Sequence, residues 1–110
     1  MEIIDEQIDS VMILTIKGRL DASNSTELKT KISSLIDENK KSILVDMSGV
    51  DFVDSSGLGS LVTCLRSVAQ AEGKLKITSL QHNPKNLFET TRLDRVFEIF
   101  DDRKSALKTF

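Results

Sequence analysis

Asp54-Ser55-Ser56-Gly57-Leu58-Gly59 sets two hydroxyls between a carboxylate and two glycines. The apolar run Ile43-Leu44-Val45-Asp46-Met47 precedes it and reads as a buried strand. Leu58, Leu61, Val62, Leu65, Val68 and Ala69 follow at helical spacing. The hydroxyls therefore stand where a strand gives way to a helix. The first amides of a helix have no intrahelical acceptors, and its dipole favours negative charge there. Such a position suits a phosphate.

Other chemistries fit less well. Gly57-Leu58-Gly59 begins a dinucleotide fingerprint, but the third glycine would fall at Val62. A nucleophile elbow needs glycines two residues either side of one serine, and neither Ser55 nor Ser56 has both. His82, the only histidine, reads as a surface residue ahead of Asn83 rather than as a base for the serines. One cysteine and one histidine are too few for the usual zinc sites, and no phosphate-binding G-x-x-x-x-G-K-[ST] loop occurs. Cys64 cannot form an internal disulfide and, on the apolar side of its helix, reads as a small core residue. What remains is acidic. A parallel sheet would open the loops after its second and third strands at one edge, gathering Asp21, Asp51, Asp54 and Asp46. That edge suits magnesium or a basic partner, but charged loop residues are usually just exposed, and composition alone favours solvated loop aspartates.

The elements that must hold this site alternate regularly. Ile3, Ile4 and Ile8, joined through Asp9-Ser10 to Val11-Met12-Ile13-Leu14-Thr15-Ile16, predict an opening antiparallel hairpin. Gly18-Arg19-Leu20-Asp21 reads as a loop. Asn24 or a neighbouring serine then offers an N-cap, with Glu27 placed to complete a capping box. Leu28, Ile32, Leu35 and Ile36 form one apolar stripe on the helix that follows. The second helix should end near Gly73, suited to a left-handed cap, and Lys74 to Thr78 is the next strand. Asn83-Pro84 predicts a helix capped by Asn83 with proline at its first position, running to about Thr91. Val96-Phe97-Glu98-Ile99 reads as a strand. Asp101 or Asp102 caps a last helix carrying Ala106, Leu107 and Phe110. Helical crossovers require parallel pairing, so the chain predicts an α/β fold: a mostly parallel five-stranded sheet in sequential order, an N-terminal hairpin and about four helices.

Composition bounds the function. A chain of 110 residues fits one domain, and 39% hydrophobic with 29% charged residues is ordinary for a globular protein. Its net charge of −2 lacks the basic excess that nucleic-acid binding requires. Met1-Glu2-Ile3-Ile4-Asp5 carries charges where a secretory signal needs an apolar core, and no run is long enough for membrane insertion. A cytoplasmic location is expected.

Val53-Asp54-Ser55-Ser56-Gly57-Leu58-Gly59, preceded by Ile43 to Ser48, closely resembles the signature of STAS domains, particularly the bacterial anti-sigma factor antagonists. Gly18-Arg19-Leu20-Asp21-Ala22 is similar to that family's earlier loop, and the resemblance extends over essentially the whole chain. It implies the STAS fold, no cofactor and no enzymatic activity. It also implies a switch in which Ser55, directly after the motif aspartate, accepts a phosphoryl group from an anti-sigma factor that is itself a serine kinase. The unmodified form would bind that kinase and free a sigma factor. The phosphorylated form would be released and restored by a PP2C-type phosphatase. Asp21, Asp54, Ser56, Gly57 and Leu58 are the implied partner-binding positions, although Ser56 also reads as a helix cap. Gly57 and Gly59 fit either close approach of another group or tight packing. A second reading keeps the fold but makes the chain a stand-alone STAS scaffold subunit of a transporter or signalling assembly, without a phospho-switch. A third is a small enzyme or nucleotide-binding domain using the acidic edge.

Overall fold

The computed structural model describes all residues from 1 to 110. In chain order it comprises β1 (Glu2–Ile8), β2 (Val11–Leu20), α1 (Ser25–Asp37), β3 (Ser42–Val53) and α2 (Ser55–Gln70). There follow β4 (Lys74–Thr78), α3 (His82–Thr90), a 3-10 turn (Leu93–Arg95), β5 (Glu98–Phe100) and α4 (Arg103–Leu107). The five strands lie in the order β1-β2-β3-β4-β5, with β1 antiparallel to β2 and every later pair parallel. The predicted sequential sheet with its opening hairpin is thus what forms.

The central strand explains itself. Ile43, Leu44, Val45 and Met47 are all fully buried, so β3 is covered on both faces and its first half is apolar on both, save for the ion-paired Asp46, rather than alternating. One face packs on α1, α2 and α3: Leu28, Ile32, Leu35, Leu58, Leu61, Cys64, Val68 and Phe88 meet Leu14, Ile16, Val45, Met47 and Ile77 in the main core. On the other face, Ala106 of α4 seals Val11, Ile13 and Leu44, with Phe100, Leu107 and Phe110 packed at the margin. Two cations fasten that side. Arg103 donates to Asp46 (2.6 Å), Glu6 (2.7 Å) and Thr15 (2.7 Å). Lys76 reaches Glu98 (3.0 Å) and both the carbonyl and hydroxyl oxygens of Thr109.

Several boundaries differ from expectation. Ser48-Gly49-Val50-Asp51 continues β3 to Val53, and Gly18-Arg19-Leu20 is the end of β2 rather than a loop; the two segments pair with each other through two register irregularities. β1 reaches only Lys17 and β4 only Asp46, so the far ends of β2 and β3 form a two-stranded ribbon projecting beyond the sheet. Strand pairing outweighs the turn propensity of these polar residues. The left-handed residue after α2 is Glu72 (φ 62), not Gly73. Gly73 is required for another reason: a Cβ there would run into the Lys41 carbonyl oxygen. α3 starts two residues early, with Gln81 at the cap and His82 first, so Pro84 sits inside the first turn, where its missing N–H costs nothing. Val96 and Phe97 follow the 3-10 turn, and only Glu98–Phe100 pair as β5. Asp102 caps α4 through the Ser105 amide (2.7 Å), while Phe110 lies beyond that helix.

Candidate functional site

Asp54 follows the last residue of β3 and caps α2. Its Oδ1 accepts from the Gly57 amide (2.8 Å), its carbonyl from Leu58, and its own amide donates to the Leu20 carbonyl (3.2 Å). Ser56 therefore is not the cap. Asp54 Oδ2 also accepts from the Ala22 amide (3.2 Å), so one carboxylate ties the start of α2 to the loop after β2. Ser55 and Ser56 open the helix with exposed side chains. Neither their hydroxyls nor their amides have a protein partner, which leaves two first-turn donors aimed outward.

Gly57 is what lets α2 come this close. A Cβ at Gly57 would enter the Leu20 carbonyl oxygen and stand 2.8 Å from its carbon. Gly59, by contrast, has nothing within 4 Å of that position. The two glycines thus separate: Gly57 serves packing, and Gly59 leaves open space beside the hydroxyls. Leu58 is 6% exposed and belongs to the main core, and Gly57 is buried as well. These two implied partner-binding positions shape the site from beneath and present no side chain to a visitor.

The loop after β2 is internally braced. Asp21 Oδ1 accepts from the Ser23 hydroxyl (2.6 Å) and amide (3.0 Å), with Arg19 at 3.7 Å from the other oxygen. The Ser23 hydroxyl chiefly, then its amide and Arg19, hold the Asp21 carboxyl below its ordinary range. Asn24 precedes α1 but its side chain makes no cap bond, so the predicted capping box with Glu27 does not form. Its Oδ1 accepts from the Asp21 amide (2.9 Å) and its Nδ2 donates to the Arg19 carbonyl (2.7 Å). The Arg19 guanidinium lies 4.2 Å over the Phe52 ring, stiffening the same ribbon.

Asp46 does not join this edge. It is 4% exposed on the α4 side, and although burial alone would raise its carboxyl, the Arg103 guanidinium and the Ser48 amide hold it below the ordinary range. Asp51 is exposed on β3, and no group of three or more His, Cys, Asp or Glu side chains is arranged to hold a metal ion. The His82 ring meets the Asn86 side chain at 3.1 Å. Cys64 is buried, and that burial pushes its thiol up to about 12. Ser23, Asn24 and the Ala22 amide were missed as parts of the site; the spacing of Asn24 three residues after Asp21 was visible, but fits a helix cap equally well.

No helix is long and apolar enough to cross a membrane. An anti-sigma-B factor antagonist of Listeria monocytogenes is 27% identical over 99 residues, 90% of this chain and 86% of that protein. A candidate anti-sigma factor antagonist of Thermotoga maritima has a crystal structure that superposes with a TM-score of 0.92 at 24% identity, over 97% of this chain and 92% of that one. The same fold occurs in a sulfate transporter family protein of Wolinella succinogenes, with a TM-score of 0.81 at 19% identity, over 93% of this chain and 85% of the other. The model of the STAS domain matches residues 2–106, a span holding every strand, the capped serine pair and the braced loop, and the chain belongs to the STAS domain family.

Proposed function

We propose that this protein is a cytoplasmic anti-sigma factor antagonist, regulatory rather than enzymatic, whose switch is phosphorylation of Ser55. The unmodified form binds an anti-sigma factor that is a serine kinase and so frees a sigma factor. In the transfer step the Ser55 Oγ attacks the γ-phosphorus of ATP held by the kinase. The bond to the β–γ bridging oxygen breaks, ADP leaves, and the hydroxyl proton passes to a base of the kinase. A PP2C-type phosphatase hydrolyses the phosphoserine and restores the binding form.

One observation carries this reading: the Ser55 hydroxyl is exposed and unpartnered at the first turn of a helix whose cap is the adjacent Asp54. The Listeria relative, an anti-sigma-B factor antagonist, supports the class of partner. A phosphate on Ser55 adds about 1.5 to 2 negative charges at pH 7. The free amides of the first turn can solvate that charge, with dipolar help of roughly 0.3–1 kcal/mol. A partner surface fitted to a neutral hydroxyl beside Asp54 and Asp21 meets bulk and repulsion instead, and each ~1.4 kcal/mol is tenfold in affinity.

The deciding experiment incubates the protein with an anti-sigma factor kinase from the same genome and ATP, locates the phosphate by mass spectrometry, and measures affinity before and after. Modification at Ser55, lost in Ser55→Ala, with affinity falling by orders of magnitude and the unfolding midpoint nearly unchanged, is the expected result. A STAS scaffold without a switch would bind its partner equally in both forms. Modification of Ser55→Ala at the normal rate would refute the site.

A further inference from the structure

Beyond Lys17, β2 has no β1 neighbour, yet two backbone groups on that side, one in β2 and one just after it, are satisfied. The Leu20 carbonyl accepts from Asp54 on the β3 side, so by strand alternation the Arg19 carbonyl and Asp21 amide face the opposite, open side. There the Asn24 carboxamide receives one and donates to the other, at 2.9 and 2.7 Å. A carboxamide carries the same donor and acceptor as a peptide group, so Asn24 stands in for the missing strand. Together with the Asn24 and Ser25 amides, which donate to the Asp21 carbonyl (3.1 and 2.9 Å), it holds the turn in which Ser23 braces Asp21 and the Ala22 amide reaches Asp54, the cap of the serine helix.

We infer that Asn24 is a positioning residue for recognition of Ser55 by its kinase, acting through Asp21 and the Ala22–Asp54 bond without touching the acceptor. The inference rests on the proposed role of Ser55. It also makes a sharp distinction. As a helix N-cap, aspartate serves as well as asparagine. As the strand substitute, aspartate keeps the acceptor, loses the donor, and sets a carboxylate against the Arg19 carbonyl oxygen.

Asn24→Ala and Asn24→Asp are therefore compared with the wild type as substrates of the anti-sigma factor kinase with magnesium and ATP. Thermal unfolding confirms that the two variants are folded. Asn24→Asp loses one bridging hydrogen bond and Asn24→Ala both, at about 1 kcal/mol net each, so a change of at least about five- to tenfold is expected. KM for the protein substrate should rise by about that factor in both variants, with kcat within twofold of the wild type. Exchange of the Ala22 amide with solvent should quicken in both. An aspartate variant with wild-type KM and wild-type Ala22 exchange overturns the inference, since a cap alone then suffices. So does a loss confined to kcat. Wild-type protein that the kinase neither binds nor phosphorylates refutes the reading of Ser55 itself, a separate outcome from either.

Discussion

Replacing Gly57 by alanine sets two known effects in opposition. Alanine in a helix is intrinsically favoured over glycine by about 1 kcal/mol, so a helix taken alone would gain. Here the new Cβ would stand 2.8 Å from the Leu20 carbonyl carbon and 3.0 Å from its Cγ. Carbon atoms in contact prefer about 3.5–4.0 Å, so the first turn of α2 must retreat from β2 by roughly 1 Å. Overpacking of this kind costs about 1–3 kcal/mol. The retreat also stretches the Asp54–Leu20 and Ala22–Asp54 bonds, each 3.2 Å already and worth about 1 kcal/mol net. The clash wins, with a net loss of about 2 kcal/mol. At a urea dependence of about 1–1.5 kcal/mol per molar, the midpoint should fall by between about 1 and 2 M. Gly59→Ala is the internal control. Its Cβ meets nothing within 4 Å, so the same substitution two residues away should stabilise by up to about 1 kcal/mol. A Gly57→Ala midpoint at or above that of the wild type would refute the claim that α2 is pressed against the end of β2.

Arg103→Met leaves Asp46 at 4% exposure without its cation, a loss of about 2–3 kcal/mol after allowing for the part of Arg103 that is solvated, measurable by urea unfolding. Because the Asp46 carboxyl is lowered in the folded state, its stabilisation is present above the unfolded value near 3.9 and is lost as pH falls through the lower folded value. The stability gap between wild type and Asp46→Asn should therefore hold from pH 7 to about 5 and close only below about 4; closure near pH 6 would contradict the assignment. Cys64, buried and with its thiol raised to about 12, should resist an aromatic disulfide reagent at pH 8 until denaturant is added, whereas rapid reaction of the native protein would contradict its core placement.

The strand order and the apolar faces of α1 and α2 were legible because both are written in local periodicity. Leu28, Ile32 and Leu35 are buried as their spacing requires, and Asp54 caps the helix that exposed Ser55 opens. What was not legible depends on pairing between distant segments. Ser48 to Asp51 carry turn-forming residues, but the partner strand holds them extended as far as Val53. Asn24 has a cap's identity and a cap's place, while the missing neighbour of β2 turns its side chain elsewhere. Asp46 lies within β3 and Asp54 just beyond its end, and the partner that buries Asp46 away from the site, Arg103, comes 57 residues later. Gly57 and Gly59 look alike in sequence, and only the Leu20 carbonyl distinguishes them.

The Arg103 fork joins residues 97, 88 and 57 positions apart, reaching β1, β2 and β3 from the last helix. Contacts that span most of the chain require the largest loops to be closed before they give anything back, and topologies rich in them fold slowly. The fork closes only when the hairpin, β3 and the last helix have come together, so engagement after the rate-limiting step is the expected order. Interactions absent from the transition state act on the escape rate from the native state and hardly at all on the rate of reaching it. Loss of Arg103 should then shorten the lifetime of the folded protein while leaving its refolding rate nearly as before. Slowed refolding on loss of Arg103 would instead place the guanidinium in the folding nucleus.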